Sequence, residues 1–339
     1  MSTSIYKFLI VRLSSLGDII HTLPVVHQLK QNYPDSRVDW LVGKRCCEFL
    51  SLIGEIDNVY LPTINNLIQI QKNKYDFVID VQGLFKSALL SKLSFGKKTI
   101  GFKNTREFAD KFYDLKIDVG PLFKTSKHIV DLNLELVLPL LNKQLSKVKF
   151  LIPKITESCL VEDFQISKTK KSIIIFPATT WKSKLWPLNY WYELICELAD
   201  RFQIYLCASK LDMGLIENLI NKLDSNSVNY KNLSGKTTTT DLIYLIQNSN
   251  LVIGMDSFGL HLTSAIKNDF GFPEVIGIYG PTSPKRSGPY SQIENCLYLS
   301  ELECIACRKK ICPLGHHACM NKIVPDYVLE MINSKLSIL

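Results

Sequence analysis

Three short stretches of this 339-residue chain set polar and charged side chains where an apolar run ends. The first is RLSSLGDIIHTLP, Arg12 to Pro24, directly after Ile5 to Val11. Ser14 and Ser15 offer hydroxyls and amide donors, Gly17 permits a tight turn or a close backbone approach, and Asp18 stands at the mouth of a helix. A carboxylate there serves either as the helix N-cap, stabilising by about 1 kcal/mol, or as a general base. The second stretch is FPATTWKSKLWP, Phe176 to Pro187, which places Thr179, Thr180, Lys182 and Lys184 between a strand and a helix. Hydroxyls and a lysine in that position make a phosphate-binding loop, although the Walker spacing is absent. The third is GMDSFGLHLTSA, Gly254 to Ala265, where Asp256 and Ser257 end a strand and cap a helix. The amides of Ser257, Phe258 and Gly259 would form an anion pocket supported by the helix dipole. His261, five residues after Asp256, either meets the same ligand or packs into the core.

Missing motifs narrow the chemistry. No G-x-G-x-x-G follows Val11, and the chain contains neither a G-x-S-x-G nucleophile elbow nor H-E-x-x-H. Nicotinamide chemistry, serine hydrolysis and zinc proteolysis all lose weight.

The elements that must position these loops form a strand–helix rhythm. Ile5 to Val11 precedes a helix over Ile19 to Asn32; Val38 to Val42 and Phe77 to Val81 follow, the latter leading into a helix at Phe85 to Leu93. A second series starts at Ser172 to Phe176 and continues through the helix from Leu188 and the strands at Gln203, Leu251 and Glu274. Such alternation predicts parallel sheets covered by helices, and ligands at the carboxyl ends of their strands. Length favours two domains, with the lysine-rich stretch Lys143 to Lys171, including Pro153 and Lys168, as the link.

Charge is uneven: residues 1–150 hold 21 Lys and Arg against 14 Asp and Glu, the remainder 19 against 18. That asymmetry suits a polyanion or an anionic membrane surface for the N-terminal half; a solvated lysine-rich surface is the plain alternative. No apolar run approaches the roughly 20 residues of a membrane span, and the start lacks a secretory h-region, so a cytoplasmic protein is expected. Ten cysteines in that compartment argue against a disulfide framework. Cys46, Cys47, Cys159, Cys196, Cys207 and Cys296 read as small hydrophobes. Cys304, Cys307, Cys312 and Cys319 lie within sixteen residues together with His316 and His317, a set that would suit a structural zinc site or else a reduced loop. The basic run Arg308 to Lys310 lacks the interleaved aromatics that nucleic-acid binding requires, and no nucleic-acid partner is expected.

Taken together, VRLSSLGDIIHTLP, DVQGLFKSALL, NTREF, FPATTWKSKLWP and GMDSFGLHLTSA with YGPTSP resemble the ADP-heptose:lipopolysaccharide heptosyltransferases of glycosyltransferase family nine. The heptosyltransferase I branch is nearest in the opening motif. This resemblance implies a GT-B architecture, two Rossmann-like α/β domains facing a central cleft. Residues 1–160 would bind the acceptor, 170–322 the nucleotide sugar, and 323–339 would carry a helix back to the first domain. It implies an inverting transfer of heptose from an ADP-sugar to the Kdo–lipid A region of lipopolysaccharide, with no cofactor or metal needed for catalysis. Asp18 matches the proposed general base and Lys184 the lysine that neutralises the departing diphosphate. Ser14, Ser15, Gly17, Thr179, Thr180, Asp212, Asp256, Ser257, Gly259 and His261 match or approach donor-binding positions, and Arg106 falls where an acceptor-binding arginine would be. A lipid-anchored acceptor implies peripheral contact with the cytoplasmic face of the inner membrane.

Overall fold

The computed structural model describes residues 5–122, 125–158, 170–267, 271 and 273–336; Cys159 and Lys168 lie outside the described residues. The chain divides into two compact units, Met1–Pro153 and Lys154–Leu339.

In the first unit the elements run β1 (Lys7–Val11), α1 (Leu16–Ile20), α2 (Leu23–Asn32), β2 (Arg37–Leu41), α3 (Lys44–Leu50), β3 (Asn58–Tyr60), α4 (Ile64–Asn73), β4 (Phe77–Asp80), α5 (Phe85–Leu93), β5 (Lys98–Phe102), β6 (Leu115–Ile117) and α6 (Ile129–Val137). The six strands pair in the order β3-β2-β1-β4-β5-β6, all neighbours parallel. Phe8 to Val11 are wholly buried, as expected of a central strand covered on both faces. The helix expected over Ile19 to Asn32 is two helices. Pro24 stands in the first turn of α2 and has no amide hydrogen to continue α1 through it, so Thr22 caps a new start.

In the second unit the order is β7 (Ser172–Phe176), α7 (Leu188–Ala199), β8 (Gln203–Leu206), α8 (Met213–Ser225), β9 (Lys231–Asn232), α9 (Thr239–Gln247), β10 (Leu251–Met255), α10 (Phe258–Ala265), β11 (Glu274–Ile278), α11 (Pro284–Ser287), β12 (Cys296–Leu297), α12 (Ala318–Asn321) and α13 (Pro325–Leu336). Its sheet, β12-β11-β10-β7-β8-β9, repeats the strand order of the first. Counted within each unit, both sheets read 3-2-1-4-5-6, and the order reverses between β1 and β4 in one and between β7 and β10 in the other. Ligands of doubly wound sheets bind beyond the strand ends at that reversal. The final helix packs into the core of the second unit. Val328, Ile332 and Leu336 are buried in a core shared with Trp191, Leu194 and Ile276, which place α13 against α7 and β11. No helix among the described residues is long and apolar enough to cross a membrane.

Candidate functional site

At the first reversal the organising side chain is Arg12, 8% exposed, at the end of β1. Its Nη1 donates to the Val81 carbonyl at 2.8 Å and its Nε to the Ser14 carbonyl at 2.9 Å. Nη2 lies 2.8 Å from Asp18 Oδ1. One guanidinium thus ties the loop after β1 to the loop after β4 and ends on the carboxylate. Gln82 adds a second tie, its Oε1 accepting the Leu13 N–H at 2.7 Å.

Asp18 is not the N-cap. Ser15 occupies that position, and Asp18, three residues on, completes a capping box by accepting from the Ser15 N–H and Oγ at 3.1 and 2.9 Å. Its side chain remains 37% exposed. Burial acts to raise its pKa, but the Arg12 charge and the Ser15 donors outweigh it and hold the carboxyl below its ordinary value. Gly17 is buried in the first turn of α1 and needs no left-handed backbone; the left-handed glycine here is Gly83, at φ 68°. A second carboxylate, Asp80, ends β4 fully buried. It accepts from the Gln82 and Gly83 amides at 2.8 and 3.0 Å and from Tyr113 Oη at 2.8 Å. Burial dominates there and pushes its pKa up.

At the second reversal four residues converge on Asp256, just beyond β10 and 5% exposed. Lys184 Nζ is 2.6 Å from Oδ2 and Thr282 Oγ1 donates to the same oxygen at 2.7 Å. His261 Nε2 is 2.9 Å from Oδ1, and an ionised Asp256 requires the proton on that nitrogen. Thr179 Oγ1 donates to the Asp256 carbonyl at 3.3 Å. Burial disfavours the Asp256 charge, yet the Lys184 ammonium and the His261 bond hold the carboxyl far below its usual range. Lys184 also lies 4.6 Å over the Trp181 ring. Ser257 stands at the N-terminus of α10 but makes no side-chain cap; its Oγ is buried with no hydrogen-bond partner among the described residues. Gly259 packs: a Cβ there would sit 2.6 Å from the Phe176 ring, so glycine brings α10 down onto the end of β7.

The cysteine loop belongs to this cluster. Ser183 N–H donates to the Lys310 carbonyl at 3.1 Å and Ser183 Oγ to the Lys309 carbonyl at 2.5 Å. His317 Nε2 contacts the Ser183 carbonyl at 2.6 Å, and Arg308 N–H donates to the Pro281 carbonyl at 2.8 Å. The loop therefore braces the neighbours of both Lys184 and Thr282. Cys304, Cys307, Cys312 and Cys319 line one small cavity with His316 and His317. Among the described residues no three His, Cys, Asp or Glu side chains are arranged to hold a metal ion.

Other expected residues stand apart. Thr180 is exposed, Asp212 lies before α8 and accepts from Ser209 Oγ at 2.7 Å, and Arg106 is exposed on the loop after β5. Arg12, Gln82 and Thr282 carry the geometry without having been singled out from sequence. A basic residue ending the first strand, and the threonine of YGPTSP after β11, were the available signals.

Residues 66–318 match the family model described as glycosyltransferase family 9 (heptosyltransferase). The chain belongs to this family. Among curated relatives, lipopolysaccharide heptosyltransferase 1 of Campylobacter coli is 27% identical over 83% of this chain and 86% of its own length. Lipooligosaccharide heptosyltransferase 2 of Haemophilus ducreyi is 24% identical over 98% and 99%. A solved family 9 glycosyltransferase from Veillonella parvula superposes with TM-score 0.81 at 18% identity, covering 100% of this chain and 99% of that one. The fold is the GT-B fold of these heptosyltransferases. As a family 9 heptosyltransferase the protein is a glycosyl-transferring enzyme, and the two strand-order reversals are where its chemistry is to be sought.

Proposed function

We propose that this enzyme transfers a heptosyl group with inversion from ADP-heptose to the Kdo–lipid A region of lipopolysaccharide. Asp18 is the general base and Lys184 the cation that meets the departing diphosphate. The observation that carries this reading is the contrast between the two carboxylates of the first reversal. Asp80 is sealed and pushed toward its neutral form, whereas Asp18 is accessible and held ionised. Environments that drive two carboxyl groups apart assign their roles.

The chemistry follows from that assignment. A carboxylate made this acidic by Arg12 is a weak base, so it takes the acceptor hydroxyl proton only as the new C–O bond forms and the hydroxyl becomes acidic. The transition state is then oxocarbenium-like, with charge flowing onto the leaving diphosphate. Fixed cations and amide donors stabilise such a charge. In the second unit the amides at the start of α10, the Ser257 hydroxyl and the Lys184 ammonium supply them. Positive charge at the diphosphate comes from the protein, so catalysis needs no divalent cation in this reading. The cysteine loop, whose side chains are not arranged to hold a metal ion in this structure, reads as a reduced loop, and metal analysis of the purified protein separates that reading from a structural zinc.

The test is incubation with ADP-heptose and Kdo–lipid A without added magnesium or manganese. ADP release that depends on acceptor, with one heptose added to the product mass and the anomeric configuration inverted, is expected. Tight ADP binding with no transfer to that acceptor would overturn the substrate assignment.

A further inference from the structure

The helix that follows the first reversal is built inside out. Along α5 the fully buried residues are small, Ser87, Ala88 and Ser91, and of its larger apolar residues only Leu90 packs half-buried against the core of the sheet. Phe85, Leu89 and Leu93, spaced four apart on one face, are 48%, 37% and 39% exposed. An amphipathic helix of a soluble domain reverses that arrangement. The apolar face continues beyond α5 into Phe95, 66% exposed, and onto α4, where Ile64 and Ile68 are 78% and 46% exposed. Gln71 Nε2 donates to the Leu93 carbonyl at 2.8 Å and joins the two helices.

Charge around this face is mostly positive, with Glu107, whose Oε2 accepts the Phe85 N–H at 3.2 Å, as the acidic group at the start of α5. Between Asp80 and Glu107 the sequence contains six Lys and Arg and no acidic residue, and α4 contains no acidic residue. Lys72, Lys74, Lys86 and Lys98 are exposed and make no ion pair among the described residues. Lys92 pairs at the surface with Asp114, at 2.9 Å. Exposed apolar side chains on two joined helices, with lysines among them that make no ion pair among the described residues, match an anionic bilayer, which takes aromatic and aliphatic side chains into its acyl boundary and lysines at its head groups.

We propose that the α4–α5 face is the membrane-docking surface of the enzyme, occupied by a bilayer rich in anionic lipid. The placement is functional as well as adhesive. α5 begins just after the Gln82–Gly83 turn whose glutamine holds the loop of Asp18, so docking through α5 brings a lipid-anchored sugar acceptor to the level of the proposed base. This deepens the reading of the acceptor given above.

Sedimentation with vesicles of phosphatidylethanolamine and phosphatidylglycerol tests it on the full chain. Binding should rise steeply with the phosphatidylglycerol fraction and fall with salt. The triple variant Phe85→Ser, Leu89→Ser, Leu93→Ser should lose at least tenfold in vesicle partitioning, and Lys86→Glu with Lys98→Glu several-fold, with unchanged thermal unfolding. Transfer to a de-acylated, water-soluble acceptor should be retained by the triple variant while transfer to vesicle-embedded acceptor falls. Wild-type indifference to anionic vesicles, or equal partitioning by the triple variant, would overturn the proposal. So would loss of a dimer in the triple variant, which would make the face an interface between two copies. Partitioning is read without turnover, so failure of heptosyl transfer leaves this result standing on its own.

Discussion

At the β1/β4 reversal the carboxylate stands 37% exposed with its guanidinium, at 10%, beneath it; at the β7/β10 reversal the carboxylate is 5% exposed and its ammonium, at 14%, is the outer member. The two units share one strand order and one habit of pairing an acid with a base at the point where it reverses. They present opposite charges to a ligand. The first offers an anion fixed from behind by a cation, an arrangement for receiving a proton. The second offers a cation, a helix N-terminus and an unpartnered hydroxyl, with the anion as foundation, an arrangement for receiving negative charge. Topology decides where the ligand goes, and which partner lies outermost decides what is done to it.

The contrast breaks first at Asp18. Asp18→Asn keeps the size and much of the capping, and transfer should fall about 10³-fold, the middle of the range for a lost general base. ADP affinity and the melting temperature should stay near wild type. Transfer within tenfold of wild type would remove the base from the first unit and leave the two reversals without distinct roles.

Lys184 tests the other side. Lys184→Met should lower kcat about 10²-fold, as when one preorganised transition-state donor is removed, and weaken ADP binding. It should also destabilise the second unit by about 3 kcal/mol, because Asp256 remains buried without its ammonium. The double variant Lys184→Met, Asp256→Asn separates the effects: stability should return in chemical denaturation while activity stays low. Recovery of both would mean that Lys184 only neutralises Asp256.

Much of this contrast was legible before the structure. The strand at Ser172–Phe176 and the helix at Phe85–Leu93 stand where the apolar pattern places them, because short apolar runs between breakers have few other solutions. All three loops read as chemical lie at strand ends. Partners far apart in sequence were not legible. Arg12 reaches Val81 and Lys184 reaches Asp256 only after the parallel pairing of β1 with β4 and of β7 with β10. The inside-out face of α5 was hidden for the opposite reason, since Phe85, Leu89 and Leu93 at helical spacing read as a core stripe until their exposure is seen. The short strands β3, β9 and β12 carry two or three residues each, too few for a periodic signal.

Arg12 sharpens the comparison through pH. Pairing lowers the Asp18 pKa, so removing the guanidinium raises it; the fraction ionised then falls at a given acidic pH. In Arg12→Met the acid limb of kcat against pH should move upward, while the loss at pH 8 stays within about tenfold, since Asp18 remains ionised there. An acid limb left in place, with a uniform loss at all pH values, would show that Arg12 shapes the loop and leaves the charge of Asp18 alone.

Ser257 provides the smallest and most selective test. Its hydroxyl makes no hydrogen bond among the described residues, so Ser257→Ala removes no bond seen there, and loss of a buried unpartnered polar group is neutral or slightly stabilising. If that hydroxyl and the neighbouring amides of α10 receive the diphosphate, the same change should weaken ADP binding by roughly 1 kcal/mol, about fivefold in Kd, the net value of one hydrogen bond. Calorimetric titration with ADP and with adenosine then locates the effect, since a phosphate contact changes the first and leaves the second alone. A fivefold loss for both ligands would move Ser257 to the nucleoside, and the reception of negative charge at the second reversal would rest on Lys184 and the amides.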